Sequence, residues 1–205
     1  MRIDLNNGRA NWLQWQTGGL ALLLCMVMAA VCGCMTESVR LAGGSPFPES
    51  PRYHIQPRTY TKDELARYGL RTDGVYVDMG EVPPEKHAPA VVTGYTFYRF
   101  WPNGRVMFRV PGIGPLRSSD VAAIDSLRHG NVGYYEFTED GGIKIELFLP
   151  VGMTYAYGWT KFTIDGDSLW IHSSGYRNFH PLGHVTTRLG YRFMHINGMT
   201  EQPDW

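Results

Sequence analysis

The sequence predicts a mainly β protein: an antiparallel meander of about eight strands, forming a small barrel or a strongly curved sheet, with two short helices. Three observations predict it. Most of residues 59–205 reads as short aromatic and β-branched runs separated by Gly, Asn and Asp turns. Three hairpins can be placed in register so that one face of each becomes apolar. The strands also follow one another without helix-length crossovers, which favours neighbour-to-neighbour pairing.

The first helix begins at Thr61-Lys62-Asp63-Glu64. This is a capping box, with Thr61 accepting from a backbone N–H while Glu64 reaches back, followed by Leu65, Tyr68 and Leu70. A strand, GVYVDM (74–79), follows. In TFYRFWPNGRVMFRV, a two-residue Asn103-Gly104 turn would set Arg99 opposite Phe108 on an apolar face. A three-residue Pro102-Asn103-Gly104 loop closed by a glycine bulge avoids this. It pairs Trp101 with Arg105, Phe100 with Val106, Tyr98 with Phe108 and Thr96 with Val110, giving an inward row of Tyr98, Phe100, Val106, Phe108 and Val110. The second helix, SSDVAAIDSLRHG, starts near Ser119, carries Val121, Ile124 and Leu127 at helical spacing, and stops at Gly130.

In GYYEFTEDGGIKIELFL a loop at Glu139-Asp140-Gly141 pairs Phe137 with Ile143 and Tyr135 with Ile145, with Glu136 meeting Lys144 on the other face. In WTKFTIDGDSLWIH the loop Asp165-Gly166-Asp167-Ser168 pairs Ile164 with Leu169 and Phe162 with Ile171. The run 153–164 feeds this hairpin, with a bend expected at Gly158. The last strand, 184–196, alternates Val185, Thr187, Leu189, Tyr191 and Phe193 with Thr186, Arg188, Arg192 and Met194. In strand number and hairpin order the domain resembles the lipocalin-like class of small barrels, although the Gly-x-Trp of that class is absent where the chain reads Asp73-Gly74-Val75. An open sheet or a two-sheet sandwich is the alternative arrangement of the same hairpins.

The amino-terminal part has a different character. Leu20 to Val31 is an unbroken apolar run of twelve residues, where a membrane-spanning helix needs roughly 20. With Arg2 and Arg9 upstream against Asp4 alone, it reads as the apolar core of a secretory signal. The run ends Val31-Cys32-Gly33-Cys34, which resembles the lipobox of bacterial lipoproteins in its aliphatic Val31, small Gly33 and following Cys34. The resemblance implies cleavage between Gly33 and Cys34, a diacylglyceryl thioether on Cys34 and acylation of the new amino terminus. Met35, rather than Asp, at the second mature position implies the outer membrane. An ordinary cleaved signal with an incidental Cys34 is the competing reading. The expected organisation is a lipoprotein signal at 1–33, a lipidated cysteine and Pro/Gly-rich tether at 34–58, and a single β-rich domain at 59–205.

All three cysteines, Cys25, Cys32 and Cys34, lie in the signal or at its junction, so the folded domain has neither a disulfide nor a thiol nucleophile. Stability then falls to the core, which at roughly 150 residues buries about 68–70% of the chain's surface. Chemistry is sparse. Gly-x-Ser-x-Gly and Ser-x-x-Lys are absent, and the Glu139/Asp140 and Asp165/Asp167 pairs sit in turns, where acids serve turn geometry. His180 and His184 are four apart, a spacing that shares a face only in a helix; Pro181 and Gly183 make this a loop, so no metal is expected. No glycine pattern suits a nucleotide. After loss of residues 1–33 the chain keeps 17 basic and 18 acidic residues, which gives nucleic acid no electrostatic footprint. No cofactor and no catalysis are expected.

One surface feature stands out. The outward side of the first hairpin carries Phe97, Arg99, Trp101, Arg105, Met107 and Arg109, and aromatics beside arginines are what binding hot spots are enriched in. Arginine stems packed over rings on a solvated face give the same pattern. Two functions fit: a lipid-anchored, non-catalytic envelope domain holding an apolar or amphiphilic ligand, or a structural lipoprotein docking on an envelope protein through that face. For the anchor, a Cys34→Ala variant is expected to accumulate as unprocessed precursor and to leave the membrane fraction. Normal processing and anchoring of that variant would refute the lipobox.

Overall fold

The computed structural model describes residues 38–41, 44–82, 96–110, 116–128, 130–151, 154–177, 188–203 and 205, with residues 80–82 and 188 described in backbone only. The chain divides into two units, Met1–Thr36 and Glu37–Trp205. The signal, the lipobox and Cys34 lie outside the described residues, as do His180 and His184. Among the described residues no helix is long and apolar enough to cross a membrane.

Eight strands form a closed antiparallel barrel in chain order: β3 (Gly74–Val82), β4 (Phe97–Phe100), β5 (Arg105–Arg109), β6 (Asn131–Phe137), β7 (Ile143–Val151), β8 (Thr154–Asp165), β9 (Ser168–Tyr176) and β10 (Arg188–His195). β10 returns to pair with β3, from Arg188↔Val82 to His195↔Gly74, with a bulge between Leu189 and Tyr191. A separate two-stranded ribbon, β1 (Ser38–Arg40) with β2 (Pro46–Pro48), precedes the barrel. The three hairpin registers are those the turn chemistry predicts: Phe100↔Val106 and Tyr98↔Phe108, Phe137↔Ile143 and Tyr135↔Ile145, Ile164↔Leu169 and Phe162↔Ile171. Gly104 takes a φ of 78° at the turn, where its missing Cβ also admits the Arg58 backbone. β8 runs unbroken through Gly158.

One barrel end carries the tight turns and is plugged. Helix α1 (Lys62–Tyr68) has the capping box at Thr61 and Glu64 and stops at Gly69, whose φ of 75° suits glycine. It sets Leu65 and Leu70 into the lumen cluster, beside Tyr76, Phe100, Tyr135, Ile143 and Leu169. Rings lock edge to face here: Tyr76 on Phe100 at 5.7 Å and Phe100 on Tyr135 at 5.3 Å. Their hydroxyls are satisfied, since Tyr135 donates to the Trp101 carbonyl (2.9 Å) and Tyr76 accepts from the Arg71 N–H (2.9 Å).

A second core lies outside the barrel, and it corrects two expectations. The Pro-rich stretch read as a tether is docked from residue 44 onward. Tyr53 and Ile55 are buried against the outer sheet, Tyr53 donates to the Val132 carbonyl (3.0 Å), and Ser45 donates to the Leu127 carbonyl (2.7 Å). Its prolines do keep it extended, but its aromatic and aliphatic residues give it a face to bury. The candidate binding face is likewise covered: Phe97 and Met107 are 0% exposed, Arg99 and Trp101 3%. Leu116, Ile124, Ile196 and Trp205 lie over it.

The three arginines serve this closure. Arg99 forms a 2.7 Å ion pair with Asp125 and also donates to the Asp125 and Glu201 carbonyls. Arg105 donates to a Trp205 main-chain oxygen, and Arg109 to the Ala123 and Ser126 carbonyls. Trp101 meets Trp205 edge to face at 5.7 Å. These donors also explain why helix α2 (Val121–Asp125) ends at Ser126 rather than Gly130. The carbonyls of Ala123, Asp125, Ser126 and Leu127 are taken by Arg109, Arg99, Arg109 and Ser45 instead of by later N–H groups. Val110, placed inward by the alternation, is instead 60% exposed, because β5 ends at Arg109 and pairing with Thr96 does not continue.

Arg99→Ala strands the Asp125 carboxylate and is expected to cost about 3–5 kcal/mol in chemical denaturation, far more than an exposed arginine such as Arg192. Burial alone would raise the Asp125 pKa. The Thr200 N–H, the Arg99 charge and the Glu201 N–H outweigh it and hold the carboxyl below the ordinary range. A folded pKa lower than the unfolded one, about 3.9, stabilises above that pH and is lost as pH falls through the folded value. Tryptophan fluorescence should therefore show the tail loosening below about pH 4, with that acid transition absent in Asp125→Asn.

Candidate functional site

Inside the barrel the character of the lumen changes with depth. In the turn-end half the inward positions carry large apolar or tyrosine side chains, most of them buried, with Phe137, Ile164, Ile171 and Phe193 partly buried. Toward the opposite end the same alternation brings in Asp78 on β3, Thr160 on β8 and Ser174 on β9, all partly exposed, beside the apolar Phe108 and Leu149. Ser174 pairs directly with Thr160, and Asp78 with Tyr191, which fixes their common side of the sheet.

At the boundary between the halves lies a hydroxyl cluster. Tyr98 and Tyr191 meet edge to face at 4.8 Å, and their hydroxyls are hydrogen-bonded to each other. The Tyr98 hydroxyl is also hydrogen-bonded to Thr160, and that of Tyr191 to Thr96. Phe162 supports both rings, at 5.3 Å from Tyr98 and 6.2 Å from Tyr191. Burial pushes the Tyr98 phenol well above its ordinary value, with Tyr191 and Asp78 adding to the rise. Burial likewise raises Tyr191, to about 12, where the hydrogen bond from Thr96 opposes burial and Asp78 reinforces it. Both stay protonated at neutral pH, so the cluster offers neutral donors and acceptors rather than a phenolate nucleophile. A carboxylate, two phenols and two threonine hydroxyls below an apolar wall suit a ligand with one hydrogen-bonding group and an apolar body.

None of the predicted binding-face residues belongs to this site. Phe97, Arg99, Trp101, Arg105, Met107 and Arg109 are brought together as expected, but as an intramolecular seam. Cys34 and Gly33 lie outside the described residues. Among the described residues no group of three His, Cys, Asp or Glu side chains is placed to hold a metal. The signal for the lumen cluster was present in the pattern: Asp78, Thr160 and Ser174 interrupt inward rows that are otherwise apolar. It becomes readable only when β3, β8, β9 and β10 are known to face one lumen.

Tyr191→Phe keeps the ring and removes one member of the cluster. It is expected to cost about 1 kcal/mol in urea unfolding, because the buried Tyr98 hydroxyl and the partly buried Thr96 hydroxyl each lose one hydrogen bond. An unchanged midpoint would mean that the cluster is solvated. No known protein family, curated protein or solved structure matches the chain.

Proposed function

We propose that this is an outer-membrane lipoprotein, anchored through lipid on Cys34, whose barrel is a non-catalytic binding domain for an apolar or amphiphilic molecule. The observation that carries the reading is the division of the lumen at the Tyr98–Tyr191 pair. Eight-stranded barrels are just wide enough to be filled by side chains or to hold one small ligand, and here the inward rows are apolar or tyrosine at the turn end, while Asp78, Thr160 and Ser174 enter them beyond it. Beyond it, Phe108 and Leu149 would meet the apolar body of the ligand, while the Tyr98, Tyr191 and Thr160 hydroxyls and Asp78 would take its polar group. The anchor supports the reading physically, since two or three acyl chains at about 0.8 kcal/mol per buried CH₂ hold a domain beside a reservoir of such molecules. The alternative, a structural lipoprotein docking through the aromatic and arginine face, draws no support from that face, which the chain's own segments cover.

Native mass spectrometry of the full chain released from neutral detergent, followed by organic extraction, tests this. A co-purifying small amphiphile is expected, and Thr160→Leu or Leu149→Trp, checked for an unchanged fold by circular dichroism, should reduce its occupancy severalfold. An empty wild-type lumen that also fails to bind a fluorescent fatty-acid analogue would reject the reading.

A further inference from the structure

The outer sheet surface left uncovered by the docked segments contains a groove of about 470 Å³, lined by His54, Thr138, Lys144, Glu146, Trp159, Lys161, Ser173 and Arg177. We infer that this groove is a second binding site, distinct from the lumen, and that its ligand is an acidic saccharide. Two features carry this: an aromatic platform and a guanidinium, Arg177, without a carboxylate partner among the described residues.

Trp159 on β8 pairs with Gly175 on β9, and its indole lies across that glycine. A Cβ at position 175 would sit 3.1–3.2 Å from Cζ2, Cε2 and Nε1, so the ring lies closely over the bare glycine and a side chain there would push it outward by a few tenths of an ångström. The indole remains partly exposed and lines the groove. A flat indole beside hydroxyl and cationic side chains is suited to the C–H face of a sugar ring, with the ring's hydroxyls meeting Ser173 and Thr138.

The rim selects for negative charge. Arg177 donates to His54 Nε2 and to the Arg52 carbonyl, and among the described residues no carboxylate lies within ion-pair distance of it. A guanidinium without a carboxylate partner keeps its charge for a carboxylate or phosphate of a ligand. His54 Nδ1 faces Glu146 Oε1 at 3.7 Å. Glu146 also lines the groove from a buried position, its Oε2 turned to the strap, where it accepts the backbone N–H groups of His54 (2.6 Å) and Ile55 (3.1 Å). Lys161 and Lys144 also line the groove but are ion-paired, with Asp140 at 2.7 Å and Glu136 at 3.8 Å, which leaves Arg177 as the cation that meets an anionic group. The ligand class thus follows from charge complementarity at Arg177 and a stacking surface at Trp159.

Calorimetric titration of the full-length protein in detergent, with a uronic-acid disaccharide, a neutral glucose disaccharide and inorganic phosphate as probes, tests the inference. The uronic-acid probe is expected to bind and the neutral one to bind far more weakly, with affinity falling as salt is added. Trp159→Ala and Arg177→Met should each weaken the acidic probe by about tenfold or more, while Trp159→Phe and the distant Arg192→Gln retain binding. Unchanged melting temperatures keep these comparisons about the groove, and Leu149→Trp, which fills the lumen, should have no effect. No binding of the uronic-acid probe, binding indifferent to Trp159→Ala, or phosphate binding as tightly as the saccharide would each overturn the assignment.

Discussion

Closure of the sheet is the constraint on which the other features depend. When β10 pairs with β3 along the length of both strands, no edge is left, and every strand acquires one inward and one outward face. Inward positions then share a space about as wide as the side chains that fill it. The tyrosines and phenylalanines at the turn end use that width fully, interlocking edge to face instead of leaving a void. The polar positions at the other end are legible as a site only because closure gathers four strands around them.

Closure also leaves an excess of apolar surface outside. Val75, Val77, Phe97, Met107, Val132 and Phe148 point away from the lumen and would be wet in a bare barrel. The strap at 44–60, the segment around α2 and the carboxy-terminal tail cover them, as a partner would cover an interface. The resemblance extends to the chemistry: arginines donate to otherwise unpaired carbonyls, and the desolvated Arg99–Asp125 pair fixes which segment lies where. Buried ion pairs contribute less to net stability than they lose when one partner is removed. Arg99 and Asp125 therefore act chiefly to define the docked arrangement.

The strap links the covered and uncovered parts of the surface. Glu146 accepts its backbone through His54 and Ile55, and the same His54 positions Arg177 at the edge of the open groove. The groove's geometry is thus a by-product of how the outer core is sealed. The lumen and the groove lie on opposite sides of β8, where Thr160 points inward and Trp159 outward, so one strand presents hydroxyl chemistry to one and an aromatic shelf to the other.

The sequence by itself determined what is local. The capping box at Thr61, the Pro102-Asn103-Gly104 turn, the three hairpin registers and the neighbour-to-neighbour strand order depend on turn chemistry and on a period of two, both contained in a few adjacent residues. The tertiary structure alone decided what covers what. Phe97, Arg99 and Trp101 have the composition of an interface whether the partner is another protein or the chain's own residues 116–128 and 196–205, and composition carries no distance information. Likewise, Pro-rich spacing describes an extended strap and a free tether equally well until Tyr53 and Ile55 are seen to be buried. Asp78 and Thr160 are far apart in the chain and become one site because the sheet closes, a long-range event that no local pattern encodes.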